Sequence, residues 1–251
     1  MTTPELIEVP TRAAARAVFT TRRGGVSRAS FAALNLGAER GDDDADVRAN
    51  RALVCGALDL DGDAVSMVHQ VHGREVLRGG DREHRGRFLG DLRGWPDGDG
   101  LVSDVPGAAL AVLGADCLPV LLWHPDRPAV AAAHGGWRGL VDGVVEAAAA
   151  ALGEPARLGA AIGPGIGPCC YPVSAEVRDR FAARFGDAVV VGPAVDLAAA
   201  ARRALRDAGI PDAAIQTVDA CTSCEAERFF SFRRDGEASG RQAGIVWAEA
   251  R

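Results

Sequence analysis

The sequence predicts a mixed α/β fold in a single domain spanning residues 1–251. Three observations carry that expectation. Short apolar runs rich in Val and Ala are interspersed with amphipathic stretches of helical period. The 31 Gly and 13 Pro residues punctuate the chain, with several at the ends of those runs. Strand-like and helix-like segments follow one another without a regular βαβ rhythm, which points to mixed rather than purely parallel sheets. At 251 residues the chain can bury such a core without disulfide staples.

Taken in order, residues 17–27 (AVFTTRRGGVS) read as a strand running into a Gly-Gly turn that carries Arg22. After FAALNLG, which contains Asn35, residues 39–58 have the acidic start and apolar stripe of an amphipathic helix. Residues 64–77 (AVSMVHQVHGREVL) read as a strand. The charged, glycine-rich segment 78–100 reads as a long mobile loop or a solvated insertion. Residues 108–125 form a buried strand interrupted at Asp116-Cys117-Leu118-Pro119, and a short turn joins it to a second buried strand, PAVAAAHG. A helix is expected over 140–152, then a strand and a Gly/Pro loop through 173. Ser174 caps a helix with Val177, Phe181 and Phe185 on one face and Gly186 beyond its end. Asp196 caps another, stopped at Gly209 and followed by Pro211. A turn, a charged loop and a last strand complete the chain.

Composition excludes several function classes. The net charge is −6, so no broad basic field exists to hold nucleic acid. All 28 basic residues counted as Lys or Arg are Arg. The N-terminal segment lacks the apolar core of a signal peptide, and the longest apolar runs are broken by Gly, His or Asp. A cytoplasmic protein with no membrane partner is expected. Its six cysteines are then thiols, ligands or nucleophiles rather than disulfides.

The chemistry concentrates where apolar strands end. In PAVAAAHGGWRGLVDG, His134 closes a buried strand, a Gly-Gly turn follows, and a helix begins near Gly139. A helix start presents unpaired N–H groups, and Arg138 adds a full positive charge, so an anion or ligand fits there. A strand-end histidine satisfied by a carbonyl is the alternative. Cys117 breaks the neighbouring strand of the same hairpin, and His72 ends the HQVHG run. These three residues lie 45 and 17 positions apart, which is no zinc-finger spacing, so only the fold can gather them. A His-His-Cys set suits Zn²⁺ and leaves the open fourth position that a catalytic site needs.

At these residues the sequence resembles the laccase-domain proteins of the YfiH type. The resemblance runs almost end to end through FTTRRGGVS, LNLG, QVHG, DGLVSD, ADCLPVLL, AAAHGGWRG, AIGPGIGPCCY and CTSCEAERFFSFRRDGEASGRQ. That family is described as purine nucleoside phosphorylases with adenosine deaminase activity; an older name for it is polyphenol oxidases. The resemblance implies a layered α/β/β/α fold of mixed sheets, zinc held by His72, Cys117 and His134, and purine nucleosides and phosphate as substrates. Adenosine, inosine and methylthioadenosine would yield base and ribose 1-phosphate. Copper would be an adventitious occupant. Gly135 replaces the family's usual alanine, and Pro172 stands where the family has a glutamate, which bears on substrate preference.

Other residues divide between site and scaffold. Asp116 orients a ligand, shuttles a proton or is a hydrogen-bonded structural carboxylate. Arg22, Arg138, Arg233 and Arg234 are candidates for phosphate or ribose contacts, because guanidinium forks match oxyanions. Asn35 and Cys170 are candidate pocket residues, with turn-capping and packing as their alternatives. Cys221 and Cys224 form a C-x-x-C with no second pair nearby in sequence. His69 and His72 would point to opposite faces of a strand, and His84 and His124 read as solvated.

Two rival chemistries use the same residues. In one, Cys117 is the nucleophile of a metal-independent hydrolase with His134 or His72 as base, as in toxin-like cysteine hydrolases of similar fold. In the other, the zinc site cleaves an amide of a cell-wall precursor. A multi-site copper oxidase is rejected, because five histidines and two methionines are too few to ligate its centres.

Overall fold

Apolar residues on both faces of successive strands dictate two stacked sheets, and the computed structural model builds them that way. It describes residues 3–11, 14–38, 41–81, 88–90 and 92–249. The early strands are β1 (Leu6–Val9), β2 (Ala15–Thr20), β3 (Val65–Ser66), β4 (Val76–Arg78) and β5 (Gly100–Ser103), with helix α1 (Asp44–Leu58) between β2 and β3. Next come β6 (Ala109–Gly114), β7 (Leu118–Trp123), β8 (Val130–Gly135), α2 (Trp137–Asp142), α3 (Val144–Leu152) and β9 (Gly159–Ile162). Then follow α4 (Ala175–Phe185), β10 (Val190–Val191), β11 (Ala194–Val195), α5 (Leu197–Asp207), β12 (Ile215–Thr217), α6 (Phe232–Asp235) and β13 (Gln242–Ala248).

A five-stranded sheet has the order β1-β2-β13-β6-β3, and a six-stranded sheet the order β12-β9-β7-β8-β5-β4. Both are mixed: β3 pairs parallel with β6, and β12 with β9, while most other pairs are antiparallel. Period-two alternation sorts the side chains into layers. Leu121 and Trp123 of β7 meet Leu110 and Val112 of β6 and Val246 of β13 between the sheets. Leu118, Val120 and Leu122 face the opposite way, onto a core shared with α3, α4 and α5. Ala111 and Ile245 face Val54 and Leu58 of α1 on the far side of the other sheet. The layers therefore run α/β/β/α. Each fully buried Leu or Val contributes about 1.5–3 kcal/mol of hydrophobic stabilisation.

Helix ends follow the expected chemistry. Asp43, Ser174 and Asp196 accept N–H groups of the first turns of α1, α4 and α5. Phe181 and Phe185 of α4 are buried and Val177 is half-buried. Several expectations are corrected. The segment 64–77 is two short strands separated by a loop bearing His72, because Asp99 takes up the backbone N–H groups at 71–73 that a ladder would otherwise pair. The apparent single strand 108–125 is two strands in different sheets, with the chain crossing between them at Ala115-Asp116-Cys117. The helix expected over 140–152 starts at Trp137 and breaks at Gly143, whose φ is +92°. Gly135 is the last residue of β8 rather than part of a turn, and Gly136 caps α2.

Segment 78–100 is not simply a solvated loop. Phe88, Leu92 and Trp95 are buried, and Arg51 of α1 donates to the Phe88 carbonyl. His84 and the acidic residue Glu39 lie outside the described residues. Among the described residues, no helix is long and apolar enough to cross a membrane.

Candidate active site

Strand register brings the first two site residues together. In the β7–β8 hairpin, Leu118 pairs with Gly135 and Pro119 with His134, so Cys117 and His134 meet at the same end. His72 arrives from the loop between β3 and β4. Asp99, just before β5, places it there: one carboxylate oxygen accepts the His72 N–H at 2.9 Å, and the other accepts those of Val71 and Gly73 at 3.1 and 2.6 Å. His72 has φ +63°, a left-handed conformation uncommon for a side-chain-bearing residue. The carboxylate over-determines it.

Asp99 also organises His134. Its Oδ1 lies 2.8 Å from His134 Nδ1, and its carbonyl accepts the His134 N–H at 2.7 Å. This leaves Nε2 as the free ring nitrogen, a usual arrangement for a metal-bound imidazole. Asp99 is fully buried. Burial works against its charge, but the His134 ring and the N–H groups outweigh it and hold the carboxyl below its usual range. Sequence reading misses Asp99 because it sits in the repeated Asp-Gly of a charged segment that reads as solvated loop.

The ligand atoms of His72, Cys117 and His134 all lie within 4.8 Å of one another, with Cys117 Sγ 3.9 Å from His72 Nε2. The two imidazoles meet edge to face, their centroids 4.9 Å apart. Bonds of about 2.0–2.3 Å from one ion to N and S donors span such separations, so the donor set fits a tetrahedral metal with one position open. Close approach of the backbone requires glycine at 136, where a Cβ would stand 2.8 Å from His72 Cδ2 and 3.3 Å from Cys117 Sγ. Without an ion, the residues form a charged pair. Burial disfavours the Cys117 thiolate, but His134 and His72 overcome it and bring the thiol down to about 6. Burial likewise opposes His134 protonation, yet Cys117 and Asp99 push it up to about 9.

These groups open into a cavity of about 370 Å³. Asp116, Arg138 and Arg233 line it, together with Trp137, Tyr171 and Phe232. The Arg138 guanidinium stacks 4.4 Å from the Trp137 ring and has no hydrogen bond or ion pair among the described residues. Arg233 stacks on Tyr171 at 4.8 Å and donates at 3.0 Å to the carbonyl of Pro172, the residue that stands where the resemblance implies a glutamate. Asp116 has φ +93°, and both its carboxylate oxygens are engaged, by Thr222 Oγ1 at 2.7 Å and the Arg233 N–H at 2.6 Å. Those bonds tie the 221–235 segment to the site.

Four candidates do not reach the cavity. Arg22 donates to the carbonyls of Ala32 and Ala226 and stacks on Phe230, where it holds loops together. Asn35 is fully buried and bonds Gly37, Asp42 and the Arg241 N–H, so it acts through Arg241, which does line the cavity. Cys170 packs beside other cysteines, and its neighbour Tyr171 lines the cavity instead. Arg234 is spent on the carbonyls of Thr222, Ser223 and Phe229. His69 pairs with Asp97 at 2.8 Å at the cavity wall, outside the ligand trio. His124 is buried rather than solvated: its Nδ1 accepts the N–H groups of Asp126 and Arg127, and burial lowers its pKa.

The chain is similar to known proteins over nearly all its length. A purine nucleoside phosphorylase of Streptomyces coelicolor is 40% identical over 243 residues, covering 92% of this chain and 94% of that protein. The purine nucleoside phosphorylase YfiH of Escherichia coli is 37% identical over 239 residues, covering 91% of each. The crystal structure of YlmD from Geobacillus stearothermophilus superposes with a TM-score of 0.89 at 34% identity, covering 96% of this chain and 94% of that one. The multi-copper polyphenol oxidoreductase laccase family matches residues 16–249. Matched along nearly all its length, the chain belongs to that family.

Proposed function

We propose that this protein is a zinc-dependent purine nucleoside phosphorylase, active as one catalytic domain and located in the cytoplasm. The observation that carries the reading is the uncommitted Arg138 guanidinium in the same cavity as the His72, Cys117 and His134 donors. The names of the relatives add support. Zinc held by the three donors would supply Lewis-acid polarisation at its open position. Arg138 binds and orients the phosphate, its fork matching two oxyanion oxygens. A phosphate oxygen forms the new bond to ribose C1′ as the bond from C1′ to the purine nitrogen breaks, and the electron pair departs with the base. Trp137, Tyr171 and Phe232 offer flat apolar surface for the purine and exclude water. Asp99 keeps His134 in one tautomer, and Asp116 holds Arg233 against the cavity.

The substrates proposed are adenosine, inosine and methylthioadenosine, with deamination of adenosine in the same cavity. Inosine and inorganic phosphate should give hypoxanthine and ribose 1-phosphate in equal amounts. The rate should fall to background in Cys117→Ala and in chelated protein. Base release that is indifferent to phosphate would overturn the reading; adenosine turnover to inosine and ammonia tests the deaminase. Oxidation by several coppers is disfavoured, because His69 and His124 are engaged with other groups and the donor trio itself contains just two imidazoles, His72 and His134.

A second reading has its own observation. Cys117, His134 and Asp99 stand in the order of a nucleophile, base and orienting carboxylate. Such a hydrolase would work in chelator and would leave an acyl adduct on Cys117, so the chelator experiment separates the two.

A further inference from the structure

We propose that Cys169, Cys170, Cys221 and Cys224 form a second, structural zinc site that clamps two cavity-forming loops together. The sulfur atoms of all four lie within 4.8 Å of one another. Cys224 Sγ is 3.6 Å from Cys169 Sγ and 3.4 Å from Cys170 Sγ. Four thiolates about 2.3 Å from one zinc would stand roughly 3.8 Å apart, close to this spacing. A disulfide needs sulfurs about 2.05 Å apart and joins only two of them. Here one sulfur is shared between two neighbours, which is the pattern of a common centre.

The surroundings fit a thiolate cluster. The Gly167 N–H points at Cys221 Sγ from 3.3 Å, a donor that favours the ionised sulfur. Gly167 itself leaves room for the group: a Cβ there would stand 3.3 Å from Cys169 Sγ and 3.5 Å from Cys221 Sγ. Arg234 binds the carbonyls of Thr222 and Ser223, between the two cysteines of the C-x-x-C, and brings positive charge towards a centre that would carry net negative charge. The sequence hides the site because its two halves are more than 50 residues apart; a parallel bridge between Gly165 and Cys221 joins them.

The consequence lies in the cavity wall. Tyr171 follows Cys170 directly, and Thr222, between Cys221 and Cys224, holds Asp116. Zinc binding, with loss of the thiol protons to solvent, would fix both loops against the catalytic centre without touching substrate. Closed four-sulfur coordination leaves no open position, so this ion has a structural role.

Elemental analysis of the full chain tests the inference. The wild-type protein should hold two equivalents of zinc, Cys117→Ala one, and the double variant Cys221→Ser/Cys224→Ser one. After cobalt exchange, Cys117→Ala should retain intense thiolate-to-cobalt charge transfer. Metal-free Cys117→Ala, or disulfides among these four cysteines in anaerobically prepared wild-type protein, would overturn it. Cys117→Ala keeps all four thiols, so the result stands even if the serine variant fails to fold. If the wild-type protein itself holds a single equivalent and Cys117→Ala retains it, the four-cysteine site stands and the catalytic zinc is overturned.

Discussion

Asp99 Oδ1 stands 2.8 Å from His134 Nδ1 and accepts the His72 N–H at 2.9 Å, so one buried carboxylate positions two of the three candidate metal ligands. Asp99→Asn replaces an acceptor facing the Val71 and Gly73 N–H groups with either a donor or a neutral oxygen. Metal affinity at the His72-Cys117-His134 site is expected to fall about 10–100-fold, as when other partners of ligating histidines are lost. Competition against a chromophoric chelator measures it. Unchanged affinity would mean that the loop around His72 is held by other contacts.

Gly136 offers a steric test of the same site. Its backbone, at φ −71°, suits any residue, so alanine brings no conformational strain. The added methyl would press on His72 and Cys117. Gly136→Ala is expected to lower zinc occupancy and activity together while shifting the urea midpoint little. A variant with full occupancy would show that His72 can move aside without loss of coordination.

Arg138 bears on phosphate. If it binds the nucleophile, Arg138→Ala removes a charged contact worth about 1.5–3 kcal/mol. The KM for phosphate should rise roughly 10–100-fold, with a smaller change in the KM for inosine. Arg138→Lys should recover part of the loss, because lysine keeps the charge without the fork. Equal effects on both substrates would assign Arg138 to packing against Trp137 rather than to phosphate.

The legible parts of this protein are those decided locally. Caps at Ser174 and Asp196, the Phe181–Phe185 face and the paired apolar strands around 120 and 132 depend on neighbours a few residues away. The candidate metal trio can be picked because each member breaks or follows an apolar run in the sequence, although the structure carries His72 on a loop rather than at a strand end. Asp99 cannot, since its role depends on four groups from two distant segments. Arg22 looks like a ligand-binding residue because it precedes glycines, but its donors are consumed by the Ala32 carbonyl and by that of Ala226, far away in the chain. Arg51 looks like one more solvated arginine on an amphipathic helix; tertiary packing turns it inward, where it donates to Leu36 and Phe88.

That inward turn makes Arg51 a stability residue. It is 1% exposed and satisfies two buried carbonyls, and burial brings its guanidinium down to about 10. Arg51→Ala would strand both acceptors, at roughly 2–4 kcal/mol. Urea denaturation should show that loss with the slope of the transition unchanged. A loss below about 0.5 kcal/mol, the range of ordinary surface substitutions, would mean that water replaces the guanidinium.

The thiols separate the charge state of the candidate site from its metal content. In chelated protein, Cys117 sits beside a protonated His134, and its thiol lies at about 6, below the ordinary thiol value of about 8.5. Because the folded value is depressed, the reactive thiolate is present above that point and is lost as pH falls through it. Cys55, on the buried face of α1, is pushed the other way, up to about 11, mainly by burial. Iodoacetamide at pH 7 should therefore modify Cys117 rapidly and Cys55 hardly at all, with the Cys117 rate falling through a midpoint near pH 6. His134→Ala should move that midpoint upward, toward the ordinary thiol range. Zinc added before the reagent should protect Cys117. Peptide mapping by mass spectrometry distinguishes Cys117 from the 169–224 cluster. A Cys117 midpoint near 8.5 in the chelated wild type would show that His134 is neutral there, and that Asp99 alone does not hold its proton.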